Sequence, residues 1–199
     1  MNEPPRGESQ QRPEAVVIGA SAGALEAIST ILQALPDNFS LPILVVVHVP
    51  PDKDSLLPDL LGAKCSLEVC EAEDKEPILP GRAYLAPPDY HLLVESDRRI
   101  SLSSEEPVLF SRPSIDVLFE TAADAYGSRL AAVILTGANS DGARGLRAVC
   151  DAGGTAYVQL PELAYASAMP RAALATCPEA QALSLDEIAR CLQMLAGCS

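Results

Sequence analysis

Apolar residues gather into two kinds of segment along this chain. Residues 15–19 (AVVIG), 43–48 (ILVVVH) and 131–136 (AAVILT) are nearly unbroken apolar runs, and 155–160 (TAYVQL) is a looser fourth. Runs of this length, rich in Val and Ile, predict strands covered on both faces, as in a parallel sheet. Between and after them lie segments of helical periodicity at 23–35, 54–62, 114–126, 142–152, 169–175 and 185–196. In the third, Ile115, Leu118, Phe119 and Ala122 share one face. The stretch from 67 to 103 holds four short strand-like pieces (67–71, 82–86, 91–95 and 100–103), punctuated by turns such as Leu79-Pro80-Gly81 and Pro87-Pro88. Strands alternating with helices predict a single doubly wound α/β domain, with a mostly parallel sheet and helices on both faces. Residues 1–14, rich in Pro, Glu and Gln and without periodicity, read as a disordered tail or linker, leaving 15–199 as the domain.

In such a sheet, ligands bind beyond the carboxyl ends of the strands, and three chemically capable residues fall there. Gly19-Ala20-Ser21-Ala22-Gly23 matches G-x-S-x-G, in which small neighbours let a serine stand on a sharp strand-to-helix turn. His48, one of only two histidines, ends the second apolar run, and Asp141 follows the 131–136 run. Serine, histidine and carboxylate compose a nucleophile, its base and the group that fixes the base's tautomer. Other readings stand beside this one. Ser21 could be the N-cap of helix 23–35, and Asp141 the cap of helix 142–152. The first turn could also bind a dinucleotide, although G-x-G-x-x-G wants glycine at position 21 and an acid where His48 stands. His91, at the start of a middle strand, reads as structural. The order Ser-His-Asp argues against the α/β-hydrolase fold, in which the histidine comes last.

Composition narrows the field. The 199 residues carry a net charge of −13, which opposes nucleic-acid binding and association with anionic membranes. The first residues lack the apolar core of a signal peptide, and no segment is long enough to span a bilayer, so a cytoplasmic address is expected. The six cysteines show no C-x-x-C spacing. They are therefore expected to be reduced, mostly buried thiols rather than a zinc site. No metal or organic cofactor is required by the chemistry above.

With these residues in place, the chain resembles the methylesterase domain of the bacterial chemotaxis protein CheB. The matching stretches are VVIGASAGALEAI (16–28), VVHVPP (46–51), EAEDKEPILPGRAYLAPPDYHL (71–92), RPSIDVLF (112–119), AAVILTGANSDGARGL (131–146) and MPRAA (169–173). The resemblance implies hydrolysis of glutamyl methyl esters on methyl-accepting chemotaxis receptors, with release of methanol, and deamidation of receptor glutamines. It implies Ser21 as nucleophile, His48 as base and later acid, and Asp141 as the orienting carboxylate. Backbone N–H groups of Ala22 and Ala138 would hold the oxyanion, and Arg112, Met169 and Arg171 would fall near the cleft. It specifies no oligomeric state. The chain departs from the family pattern at Ala24, Val49, 51–54 and 138–140, and 1–14 is too short for the receiver domain such proteins carry, so control by that route is not expected. Two rivals follow from the altered cleft: a non-catalytic binding module of the same fold, and an esterase or amidase with a non-receptor substrate.

Overall fold

The computed structural model describes residues 12–48 and 56–198. Seven strands form one sheet in the order β3-β4-β2-β1-β7-β8-β9, and every adjacent pair is parallel. These are β1 (Ala15–Ala20), β2 (Ile43–Val47), β3 (Glu68–Glu71), β4 (Arg82–Leu85), β7 (Leu130–Ile134), β8 (Thr155–Gln159) and β9 (Gln181–Leu183). The 91–95 and 100–103 segments pair with each other instead, as the antiparallel hairpin β5 (His91–Val94) and β6 (Ile100–Ser103).

Alternate residues of each strand feed two cores. Val16, Ile18, Ile43, Val45 and Val133 pack under α1 (Ala24–Ala34), α2 (Leu57–Gly62) and α6 (Leu185–Leu195). Val17, Leu44, Val46, Ala132 and Ile134 pack under α3 (Ile115–Tyr126) and α4 (Ala143–Asp151), with α5 (Ala168–Thr176) beside them. Burial on both faces is why these strands read as continuous apolar runs. The chain runs outward from β1 to β2 on one side and from β7 to β8 on the other, so the strand order reverses at β1. That switch point is where a doubly wound sheet opens its crevice. Gly19 lets the layers close there, because a Cβ at this position would lie 2.3 Å from Ile115 Cγ2 at the start of α3.

Four expectations need adjustment. The α2 helix begins at Leu57, and residues 54–55 of the expected 54–62 helix lie outside the described residues, as do 49–53 and 1–11. The domain starts before residue 15: the Glu14 N–H donates to the Arg129 carbonyl at 2.7 Å, and its carboxylate meets Arg129 Nη1 at 2.7 Å. β9 was not anticipated, since three residues, two of them exposed, carry no legible period. The cysteines are not all free thiols, and most are only half-buried. Cys150 and Cys177 form a disulfide between the end of α4 and the end of α5, while Cys65, Cys70, Cys191 and Cys198 stay free. Local spacing could not reveal this, because the partners lie 27 residues apart and meet only through helix packing.

Closing a loop of that size restricts the unfolded chain and stabilises the fold by roughly 2–4 kcal/mol. Reduction with dithiothreitol, or Cys150→Ser, is expected to lower the melting temperature of the purified protein by roughly 5–10 °C. Calorimetric melts with and without reductant check this; coincident melts would contradict it.

Candidate active site

Parallel pairing sets Ser21 beside His48. Ala20 pairs with Val47, so the next residue of each strand emerges at the same edge of the sheet, and the His48 N–H reaches back to the Ala20 carbonyl at 3.2 Å. Ser21 then leaves β1 on a turn held by its own N–H on the Thr136 carbonyl at 2.9 Å. Helix α1 begins after Gly23, whose φ of +82° suits glycine, and no side chain caps it. Ser21 is therefore not the N-cap. Among the described residues its hydroxyl has no hydrogen-bond partner, and it opens onto a groove of about 610 Å³ bounded by Leu25, Ser29, Val47, Leu57 and Lys64.

Asp141 is fully buried and accepts hydrogen bonds from four groups. His48 Nε2 lies 2.8 Å from Oδ2. The Ile115 N–H donates to Oδ2 at 2.7 Å and the Asp116 N–H to Oδ1 at 3.1 Å. The Ser114 hydroxyl donates to Oδ1 at 2.9 Å. Asp141 does cap a helix, but that helix is α3 rather than α4, whose N-terminus begins immediately after it. The cap of α4 comes in return from Asp116, whose Oδ1 accepts the N–H groups of Gly142 and Gly145 at 3.0 and 2.7 Å. Each helix thus supplies, at its own start, the carboxylate that satisfies the other's first N–H groups.

The two acids are driven apart. Burial works against the Asp141 charge, but the His48 contact and the Ile115 and Asp116 N–H groups outweigh it, holding this carboxyl below its ordinary value. Burial pushes Asp116 up; the Gly145 N–H pulls against that, and the neighbouring Asp141 charge adds to the rise. Of the two carboxyls, the one that faces the imidazole is the more readily ionised.

With Nε2 on Asp141, the free nitrogen of His48 is Nδ1. It lies 3.2 Å from Asn139 Nδ2, while Asn139 Oδ1 accepts the Asp141 N–H at 3.2 Å. The donating amide and the acidic partner together specify the tautomer with a proton on Nε2 and a lone pair on Nδ1. The N–H groups of Ala22 and Ala138 have no acceptor among the described residues, so both can serve an anionic oxygen. A serine, an imidazole that presents a lone pair at Nδ1, a buried carboxylate behind it and two N–H groups without an acceptor among the described residues can together carry out acyl transfer.

The cleft residues divide. Arg112 lines a cavity of about 210 Å³ with His48. Its guanidinium is occupied by the Asp89 carboxylate at 2.7 and 3.0 Å and by the Ser104 and Glu105 carbonyls at 2.8 and 3.0 Å. Met169 is buried beneath Gly137, with its N–H on the Gly137 carbonyl at 2.9 Å, and faces the loop rather than the cleft. Arg171 is exposed on α5, near Ser167 and Glu162, and borders neither cavity. His91 is structural as expected: its Nδ1 accepts the Ser114 N–H at 3.2 Å, steadying the start of α3.

Sequence reasoning missed three residues that build the site. Thr136 ties the serine turn to its neighbour, donating from Oγ1 to the Ala22 carbonyl at 2.7 Å and accepting the Ala166 N–H at 2.9 Å. Asn139 and Asp116 are the others. Asn139 had a signal, since an Asn two residues before an Asp in a turn readily bonds the backbone ahead of it. The partners of Thr136 and Asp116 are set by tertiary packing.

Known proteins resemble this chain along most of its length. The profile of the CheB methylesterase family matches residues 16–192. A relative from Leptospira interrogans, named provisionally as a protein-glutamate methylesterase/protein-glutamine glutaminase, is 49% identical over 176 residues, covering 88% of this chain and 91% of the relative. Protein-glutamate methylesterase/protein-glutamine glutaminase 2 of Anaeromyxobacter dehalogenans is 39% identical over 184 residues, covering 92% of this chain but only 54% of that longer protein. The crystal structure of the Thermotoga maritima CheB methylesterase catalytic domain superposes with a TM-score of 0.87 at 34% identity, covering 92% of this chain and 98% of that one. The chain belongs to the CheB methylesterase family.

Proposed function

We propose that this protein hydrolyses the methyl esters of glutamyl side chains on chemoreceptors, releasing methanol, and deamidates glutamines by the same route. The observation that carries this reading is the buried His48–Asp141 contact of 2.8 Å set one strand away from an unencumbered Ser21. Its place in a CheB methylesterase fold supports the choice of ester. The Ser21 oxygen attacks the ester carbonyl while its proton passes to His48 Nδ1. Asp141, kept ionised, stabilises the resulting imidazolium through Nε2–H. The carbonyl oxygen becomes an oxyanion on the Ala22 and Ala138 N–H groups, each such donor worth about 3–4 kcal/mol in the transition state. The C–O bond then breaks, and methanol leaves with the proton from His48. Water, deprotonated at Nδ1, attacks the acyl-serine, and collapse returns Ser21 and free glutamate. The Asn139 amide, on Nδ1 in the resting site, gives way to the serine hydroxyl when substrate binds.

No helix among the described residues is long and apolar enough to cross a membrane, and a cytoplasmic setting accords with a substrate on the cytoplasmic side of receptors. The acidic surface suits the chemistry. The ester is uncharged and the product is a carboxylate, so a net charge of −13 disfavours the product relative to the substrate.

Ser21→Ala is expected to lower methanol release from a methylated receptor fragment at least a thousandfold while leaving the circular dichroism spectrum and melting temperature intact. Undiminished turnover would remove Ser21 from the mechanism.

Asp141→Asn is expected to reduce kcat by about four orders of magnitude and, unlike Ser21→Ala, to destabilise the fold by about 1–3 kcal/mol at neutral pH, since one of the two oxygens that accept the α3 N–H groups becomes a donor. The pH dependence has a definite sign. A carboxylate with a lowered value in the folded state contributes stability that is complete above the unfolded value of about 3.9. That contribution disappears as the pH falls through the folded value. The melting temperatures of the two proteins should therefore converge below about pH 4; a gap that widens on acidification would contradict the assignment.

A further inference from the structure

The turn Val108–Ser111 is the piece of surface that the fold explains least. Val108 and Ser111 exchange both backbone hydrogen bonds, at 3.1 and 2.9 Å, closing a hairpin loop of two residues. The tip residues Leu109 and Phe110 have φ of +49° and +63°. Two successive positive values are what a type I′ turn requires, and Asn-Gly normally fills it. Leucine and phenylalanine suit it poorly, because Cβ crowds the backbone in this region and neither side chain offers a compensating polar bond. The strain brings no burial in return. Phe110 is 103% exposed and Leu109 is 52% exposed. A strained backbone holding apolar side chains in water points to something that covers them.

Position identifies the occupant. Phe110 shares the 210 Å³ cavity with His48, and the turn is anchored one residue later by the four hydrogen bonds of Arg112. On the Ser21 side stands a second exposed pair, Leu163 and Tyr165 at 62% and 83%. Tyr165 sits against the serine turn so closely that a Cβ on Gly23 would lie 2.8 Å from its own. Exposed apolar side chains therefore stand beside His48 and beside the Ser21 turn. A methyl ester alone has too little surface to reach either flank, whereas a polypeptide carrying it crosses both. An anionic bilayer is disfavoured by the net charge and by Glu105 and Glu106, exposed just before the turn.

Resting on the function proposed above, we propose that Leu109 and Phe110 form a docking prong for the protein substrate. The prong packs against apolar residues on one side of the esterified glutamate, and Leu163 and Tyr165 take those on the other. Substrate choice is then exercised at the rim of the site, apart from the serine chemistry.

The double variant Leu109→Asn/Phe110→Gly tests this, because it installs the residues the turn prefers and removes both apolar tips. Its melting temperature is expected to match or exceed that of the unsubstituted protein. With a methylated cytoplasmic fragment of a chemoreceptor as substrate, KM should rise about tenfold, the value of burying one large apolar side chain, with kcat unchanged. Hydrolysis of p-nitrophenyl acetate should be unaffected. An unchanged KM for the fragment, or an equal loss on both substrates, overturns the prong. The receptor assignment fails separately if the unsubstituted enzyme cleaves p-nitrophenyl acetate but not the fragment. In that case calorimetric titration of the fragment into Ser21→Ala, with and without the tip substitutions, still reads the prong. Equal affinities, or no binding by either, overturn it. So does flotation with phosphatidylcholine–phosphatidylserine vesicles, or a sedimenting dimer, that disappears with the tip residues.

Discussion

The Asp141 carboxylate is the interaction on which the rest of this structure depends. A buried carboxylate without partners would cost several kcal/mol, yet this one lies at the positive end of α3 with four donors converging on it. The same oxygen that accepts the Ile115 N–H also meets His48 Nε2, so helix capping and imidazole orientation are one interaction. Asp116 completes the arrangement by capping α4 in exchange. The clasp fixes the distance between two helices on one face of the sheet, and with it the distance between a strand-end histidine and its acid. Loss of either carboxylate would leave buried N–H groups unpaired on the opposite helix.

The clasp can form only because backbone approaches backbone closely at the switch point. Gly19 in β1 lets Ile115 press against the strand, and Gly145 in α4 leaves room for Asp116, whose Cα would lie 3.0 Å from an added Cβ. Neither glycine carries a reacting atom. They set where α3 starts, α3 sets where Asp141 is satisfied, and Asp141 sets how the imidazole is turned. His91 joins the same chain of cause by accepting the Ser114 N–H from the side opposite the carboxylate.

Much of this was legible in the sequence, and what was not has definable causes. Strands β1, β2 and β7 are buried on both faces, so their apolar runs are unbroken and their ends could be read. Placing Ser21, His48 and Asp141 at those ends followed from parallel topology alone. A residue that does two jobs is harder to read. From sequence, capping and orientation of the imidazole look like alternatives for Asp141, and the helix to be capped looks like α4, which follows it, whereas the helix it caps is α3. Contacts set by helix packing left no local trace. The Cys150–Cys177 bond, the Asp116 cap and the three-residue β9 each join segments that only the finished fold brings together.

The loop from Gly137 to Asp141 shows how such a site absorbs sequence change. Residues 138–140 read in the sequence as departures from the family pattern, yet several of the roles this loop fills belong to the main chain. The Ala138 N–H is unaffected by the identity of its exposed side chain, and Met169 supports the loop from below at Gly137. The Asn139 side chain adds a constraint of its own: its carbonyl oxygen holds the Asp141 N–H while its amide rests on His48 Nδ1. The imidazole is thereby turned so that Nδ1 carries the lone pair before any substrate arrives. In the mechanism proposed above, the amide leaves that nitrogen for the serine to reach it, so the hydrogen bond that prepares the base also opposes its use. A single hydrogen bond of about 1 kcal/mol is a modest barrier beside the stabilisation of an oxyanion by two N–H groups. The chain can therefore hold its base ready in this way without forfeiting the reaction.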